Sequence, residues 1–193
     1  MQKTTKRLTG LVTALAFLAG VPVVAALAAD YEVPPQLQIS ILLKVLVYDR
    51  SLAGRSRDGL LLSVVFDPHS EASRACKDGF VQAFKEAPRQ LAGTTIVLSE
   101  TPQENLEHDA EKGVDIIYLC NGTKTDKVID LAKKKSLITF APDELAVQQG
   151  VAIGLIPRDG KPKLLINVNG SIAGGMQLDP QILRLAELVR SDK

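Results

Sequence analysis

The apolar run from Leu60 to Phe66 constrains this chain most. A strand with one wet face alternates apolar and polar residues, whereas an uninterrupted run belongs inside a parallel sheet covered on both faces. The residues after Phe66 repeat the theme. Ser70 is placed to cap a helix reaching about Ala87, with Cys76, Phe80, Ala83, Phe84 and Ala87 pointing inward. Thr94 to Leu98 reads as a second strand, and Thr101-Pro102-Gln103-Glu104 as a capping box opening a helix that stops at Gly113. Val114 to Leu119 is the third strand, Thr123 to Asp126 starts a helix ending near Lys135, and Leu137 to Phe140 is the fourth strand. Such alternation predicts an α/β fold, a three-layer sandwich around a largely parallel sheet.

The C-terminal third changes pattern. Apolar runs Val151 to Ile156 and Leu164 to Val168 flank Arg158-Asp159-Gly160, which predicts a β-hairpin with a tight Asp-Gly turn, and Gly150 stops the short helix before it. Gly174 and Gly175 then lead to Asp179-Pro180, an N-cap and first-turn pair. A closing helix is expected, with Ile182, Leu183, Leu185, Ala186 and Val189 as its apolar stripe.

At the other end, Pro35 to about Leu52 reads as a helix that is apolar almost all round. Only Gln36, Ser40 and Lys44 form a polar stripe. One face suffices to cover a sheet, so Leu42 and Val45 on one side, and Ile39, Leu43 and Leu46 on another, are candidates for an interface with a second subunit. A homodimer is expected on that ground. The alternative is a helix covered wholly by its own domain.

The closing succession resembles the YfiR-like family of bacterial periplasmic proteins, in which a hairpin strand ends in Ile-Asn-Leu, a glycine-containing segment follows and a Leu-Leu-x-Leu-Ala helix ends the domain. The matching residues are Ile166, Asn167 and Val168, then Gly174, then Ile182, Leu183, Leu185 and Ala186. The lead-in Leu178-Asp179-Pro180 departs from the serine-containing segment of that pattern, and Tyr48 to Leu52 replaces an aromatic and proline segment. The resemblance implies a non-enzymatic periplasmic regulator that binds and restrains the periplasmic part of an inner-membrane signalling protein, of the diguanylate cyclase or sensor kinase type, and so a part in cyclic di-GMP signalling.

The N-terminus fits secretion. Lys3, Lys6 and Arg7 precede an uncharged stretch from Leu8 to Leu27, and Ala26-Leu27-Ala28 is a small-x-small cleavage pattern, which predicts a signal peptide over residues 1–28 and one domain over 29–193. An uncleaved anchor is the competing reading. Removing three of 23 basic residues leaves 20 against 22 acidic ones, a mature charge of −2. Neither that charge nor the scattered cations suit a nucleic-acid partner.

In an oxidising compartment, Cys76 and Cys120 read as a disulfide. In a parallel sheet both fall at the C-terminal edge of the strands, and the family often carries a cysteine in each region. The loop they would close spans 120 minus 76, or 44 positions, for which chain-entropy estimates give about 4 kcal/mol. Two small buried residues that merely pack are the alternative. Asp67, His69 and Ser70 follow the first strand, and Asn121, Gly122 and Thr123 the third, so both loops belong to the crevice where such sheets bind ligands. They are the ligand-binding candidates, although Asp-Pro-His-Ser is also good turn and cap material. His69 and His108 have no metal or nucleophile-base spacing, and Gly174-Gly175 does not open a helix after a parallel strand. No cofactor, metal or catalytic set is expected. A small-ligand module using the crevice is the second functional reading, with any small-molecule effector unidentified.

Overall fold

The computed structural model describes residues 32–55, 59–91 and 93–191; the expected signal peptide and most of the turn at Arg57-Asp58-Gly59 lie outside them. Helix α1 (Pro35–Val47) and the short α2 (Leu52–Arg55) lead to β1 (Leu60–Phe66), α3 (Glu71–Glu86), β2 (Gln90–Leu91) and β3 (Thr94–Pro102). After a single 3-10 turn come α4 (Leu106–Ala110), β4 (Ile116–Leu119), α5 (Thr125–Lys135), β5 (Ile138–Ala141) and α6 (Glu144–Gln149). The chain ends with β6 (Ile153–Arg158), β7 (Lys161–Asn167), α7 (Val168–Ala173), α8 (Pro180–Leu185) and β8 (Glu187–Val189).

All eight strands form one sheet in the order β2-β3-β1-β4-β5-β6-β7-β8. From β3 to β6 every pairing is parallel; β7 turns back against β6, and β8 again runs parallel to β7. Alternation along the strands splits the core in two. Leu60, Leu62 and Val64 of β1, with Ile116 and Tyr118 of β4, join α1 and α3 on one face. Val65, Ile117 and Leu119 join α4, α5 and α6 on the other. The expected sandwich of a mostly parallel sheet between helices is therefore present. The hairpin is present too, with Asp159 and Gly160 at φ 52° and 69°, the left-handed pair that a two-residue turn matching strand twist requires.

Several local expectations fail for identifiable reasons. Helix α1 stops at Val47 because Asp49 is held elsewhere: it bridges to Leu178, and its carboxylate accepts from the Ser51 N–H and hydroxyl and from the Gln177 N–H. Strand β3 runs on through Thr101, so no capping box forms. The Thr101 hydroxyl instead accepts from Ser63 and donates to Asp109. Asn167 ends β7 and caps α7, accepting from the Gly170 N–H at 2.9 Å while donating to the Val147 carbonyl. The closing helix is only six residues long. Its expected continuation becomes β8, because β7 offers an unpaired edge and Arg158 holds Glu187 beside it at 2.6 Å.

The interface candidates on α1 also need correction. Ile39, Leu42, Val45 and Leu46 are at most 1% exposed and Leu43 is 8% exposed, all within their own chain. Both sides of the helix are covered because it packs into a core shared with Phe80 and Phe84 of α3, Met176 in the segment before α8, Ile182 of α8, and the sheet. Excess apolar surface on α1 therefore supplies no argument for a dimer.

Candidate functional site

The order β3-β1-β4-β5-β6 places a topological switch at β1, whose two neighbours are reached in opposite directions. Loops leaving the C-terminal ends of β1 and β4 must diverge there, which opens a crevice. The two loops meet: a Cβ on Gly122 would lie 3.4 Å from the Ser70 hydroxyl. Their side chains divide, however. Asp67 accepts from the His69 N–H, Ser70 accepts from the Ser73 N–H as the cap of α3, and His69 projects into solvent. That loop spends its polar groups on its own turn. Asn121, Gly122 and Thr123 instead line a cleft of about 310 Å³, with Asp126, Asp143 and Gln149, between the ends of β4 and β5 and the starts of α5 and α6. Thr123 donates to the Cys120 carbonyl, so α5 starts at Thr125 without a side-chain cap.

Beneath the crevice the two cysteines come together. Their sulfurs stand 2.6 Å apart as thiols, beyond the bonded distance of a disulfide. The contact makes them unequal. The hydrogen bond with Cys76, together with burial, drives the Cys120 thiol far above its ordinary range, while the same hydrogen bond with Cys120 lowers Cys76. Cys76 is the more acidic and more exposed of the two. Its sulfur also lies 3.8 Å from the Tyr118 hydroxyl.

From Tyr118 a buried polar chain runs to the start of α1. The Tyr118 hydroxyl donates to Gln38 Oε1 at 2.6 Å, and Gln38 Nε2 donates to the Val33 carbonyl at 2.7 Å. Tyr118 is packed against Phe80, centroids 3.8 Å apart, and burial raises its phenol well above the usual value. Sequence reasoning missed this chain. The available signal was Gln38 itself, a polar residue amid the apolar positions of α1.

A second concavity was also missed. Between the C-terminal half of α1, the β6–β7 hairpin and α8 lies an apolar groove of about 640 Å³, lined by Ile41, Tyr48, Leu155, Leu164, Val47 and Leu185. The last two are 59% and 72% exposed, unlike the α1 residues beneath them. Lys44 and Lys163 stand among the lining groups. Among the described residues no group of His, Cys, Asp and Glu could hold a metal ion, and no helix is long and apolar enough to cross a membrane.

Comparison with known proteins fits this geometry. A conserved domain protein from Vibrio cholerae superposes with a TM-score of 0.59 at 15% identity, over 83% of this chain and 61% of that one. The ABC domain in complex with L-Trp from Streptococcus pneumonia gives 0.56 at 12%, over 81% and 60%. A ligand-free, open substrate binding protein with adhesive properties from Clostridium difficile gives 0.50 at 12%, over 74% and 58%. The chain thus spans about three fifths of the length of these structures, and at such identities the likeness is one of fold. No curated protein matches the chain significantly. The model of the family described as YfiR/HmsC-like matches residues 67–187, from the crevice loop after β1 to the start of β8, and the chain belongs to that family.

Proposed function

We propose that the protein is a non-enzymatic regulator which binds and restrains the periplasmic part of an inner-membrane signalling protein, of the diguanylate cyclase or sensor kinase type. The family is one of periplasmic regulators that work with a membrane signalling partner. The observation that carries the reading on this chain is the apolar groove with Val47 and Leu185 exposed at its sides. Its occupant is an amphipathic segment of the partner, apolar toward Ile41 and Leu164 and acidic toward Lys44 and Lys163. Burying a Leu side chain contributes on the order of 1.5 to 3 kcal/mol, so the two exposed residues can supply the differential affinity that shifts a two-state partner. Residues 1–28 are then a leader and 29–193 one domain. In the oxidising periplasm the adjacent thiols of Cys76 and Cys120 close as a disulfide, with no catalytic role.

The polar cleft beside Asn121 and Thr123 supports the second reading, a small-ligand module, because it lies where open α/β sheets bind ligands. The two separate genetically. A strain carrying Val47→Glu/Leu185→Glu is expected to match a deletion strain in signalling output, read as cellular cyclic di-GMP for a cyclase, while its protein accumulates at the normal level. Wild-type output from that strain removes the groove from the mechanism.

A further inference from the structure

Parallel strands joined by helices sort charge along the sheet. Each connecting helix starts beyond the C-terminal ends of the strands and finishes near their N-terminal ends, and its two termini favour opposite charges. Here Glu71, Asp126 and Glu144 stand in the first turns of α3, α5 and α6, while Lys133, Lys134 and Lys135 end α5. The near-neutral total therefore conceals two poles.

The basic pole lies where β1, β4 and β5 begin, and β7 and β8 end there too. Ile153 at the start of β6 pairs with Ile166, and Asn167 pairs with Val189. That topology brings α7 and Arg190 beside the end of α5. Arg55 ties the pieces together, donating to the Ser136 carbonyl just past α5 and to the Gly174 carbonyl just past α7. Asn169 of α7 donates to the Ser191 carbonyl at 2.8 Å, next to Arg190. Lys133, Lys134, Lys135 and Arg190 are all exposed. Among the described residues neither they nor Arg55 lie within ion-pair distance of a carboxylate. Ile172 of α7 stands with them, 70% exposed.

We infer that this pole is a membrane-binding surface, which seats the protein on anionic phospholipid with Ile172 entering the headgroup layer and the cations over the phosphates. Apolar insertion combined with basic side chains is the chemistry of interfacial binding. Acidic groups at the opposite pole do not cancel it. Strand β1 has seven residues, so the poles stand roughly 20 Å apart, about twice the screening length of about 8 to 10 Å at physiological ionic strength. Nearer at hand, Asp115 accepts from the Leu61 N–H, Asp109 is neutralised by Lys112 at 2.6 Å, and Asp130 lies one turn back on α5. The inference extends the regulator reading by placing the protein on the membrane that holds its partner, but it needs neither the apolar groove nor that partner.

Co-sedimentation of the mature protein with vesicles tests it, since the vesicles contain no protein and the result is separate from the fate of the groove. Wild type is expected to bind vesicles of phosphatidylethanolamine and phosphatidylglycerol, to bind less as salt rises, and to ignore vesicles of phosphatidylcholine alone. Each basic residue near an anionic surface strengthens binding roughly fivefold, so Lys133→Gln/Lys134→Gln/Lys135→Gln should weaken it by about 100-fold. Ile172→Ser should weaken it by about tenfold. Lys124→Gln/Lys127→Gln, at the other end of α5, should leave it unchanged, and all three variants should keep the wild-type far-UV spectrum and melting temperature. Failure of wild type to bind phosphatidylglycerol vesicles at low salt, as for a pole that seats an acidic protein instead, would overturn the inference. So would binding indifferent to Ile172→Ser, or binding weakened as much by the changes at 124 and 127 as by those at 133 to 135.

Discussion

Replacing Tyr118 by Phe removes one oxygen from the centre of the molecule and tests how α1 is fastened to the sheet. The ring stays between Phe80 and Phe140, so packing changes little. What changes is Gln38 Oε1, which loses its 2.6 Å donor at a residue only 6% exposed. An orphaned buried acceptor costs about 1 to 3 kcal/mol. Gln38→Leu costs a similar amount, because it strips the partner from the Tyr118 hydroxyl and from the Val33 carbonyl. The double variant Tyr118→Phe/Gln38→Leu leaves neither side of the broken bond unpaired, so the two losses should fall short of additivity by about 1 kcal/mol or more. Urea unfolding of the four proteins under reducing conditions measures this directly, with the midpoint moving and the slope unchanged. Additive losses, or a neutral Tyr118→Phe, would show that the hydroxyl does not hold α1.

The cysteine pair predicts that protein recovered from the periplasm without reductant is two hydrogens lighter than the reduced chain and resists alkylation; free labelling of both thiols contradicts the proposed bond. In reduced protein Cys76, being lowered and more exposed, should label before Cys120 as pH rises, as mapped by timed alkylation. Gly170→Ala should lower stability by about 1 to 3 kcal/mol, because a Cβ there would overlap the Gly150 carbonyl and press on Ala152, both backbone. A melting temperature equal to wild type would show that α7 can shift. The carboxylate of Asp109 is lowered, first by the Lys112 ammonium and next by the Thr101 hydroxyl. Its contribution is therefore complete above the unfolded value of about 3.9 and lost as pH falls through the lower folded one. Asp109→Asn should flatten that part of the acid-denaturation curve, and an unchanged slope there would remove the group from the acid transition.

Where pattern and burial coincide, the fold was legible. The run at Leu60 to Phe66 could lie only inside a parallel sheet, and Asp159-Gly160 could turn only as a hairpin. Placing Cys76 and Cys120 at one sheet edge followed from that topology and needed no knowledge of distances. Tertiary partners decided the rest. Nothing local says that Ala186 to Val189 leaves a helical pattern to pair with β7, since the reasons lie in Arg158 and an open edge distant in sequence. The all-apolar α1 looked half-exposed because the sequence does not reveal that α3 and α8 close over its second side. For the same reason the groove was invisible: Val47 and Leu185 are ordinary apolar positions until the chain brings them together in the open.

The regulator account is tested most directly by placing a photo-crosslinking amino acid at position 185 and irradiating intact cells. The account predicts one dominant adduct, an inner-membrane signalling protein cross-linked through its periplasmic part, which disappears when Val47→Glu is added and persists when Asn121→Ala is added instead. Adducts only with unrelated periplasmic proteins, or an inner-membrane adduct indifferent to Val47→Glu, would contradict it.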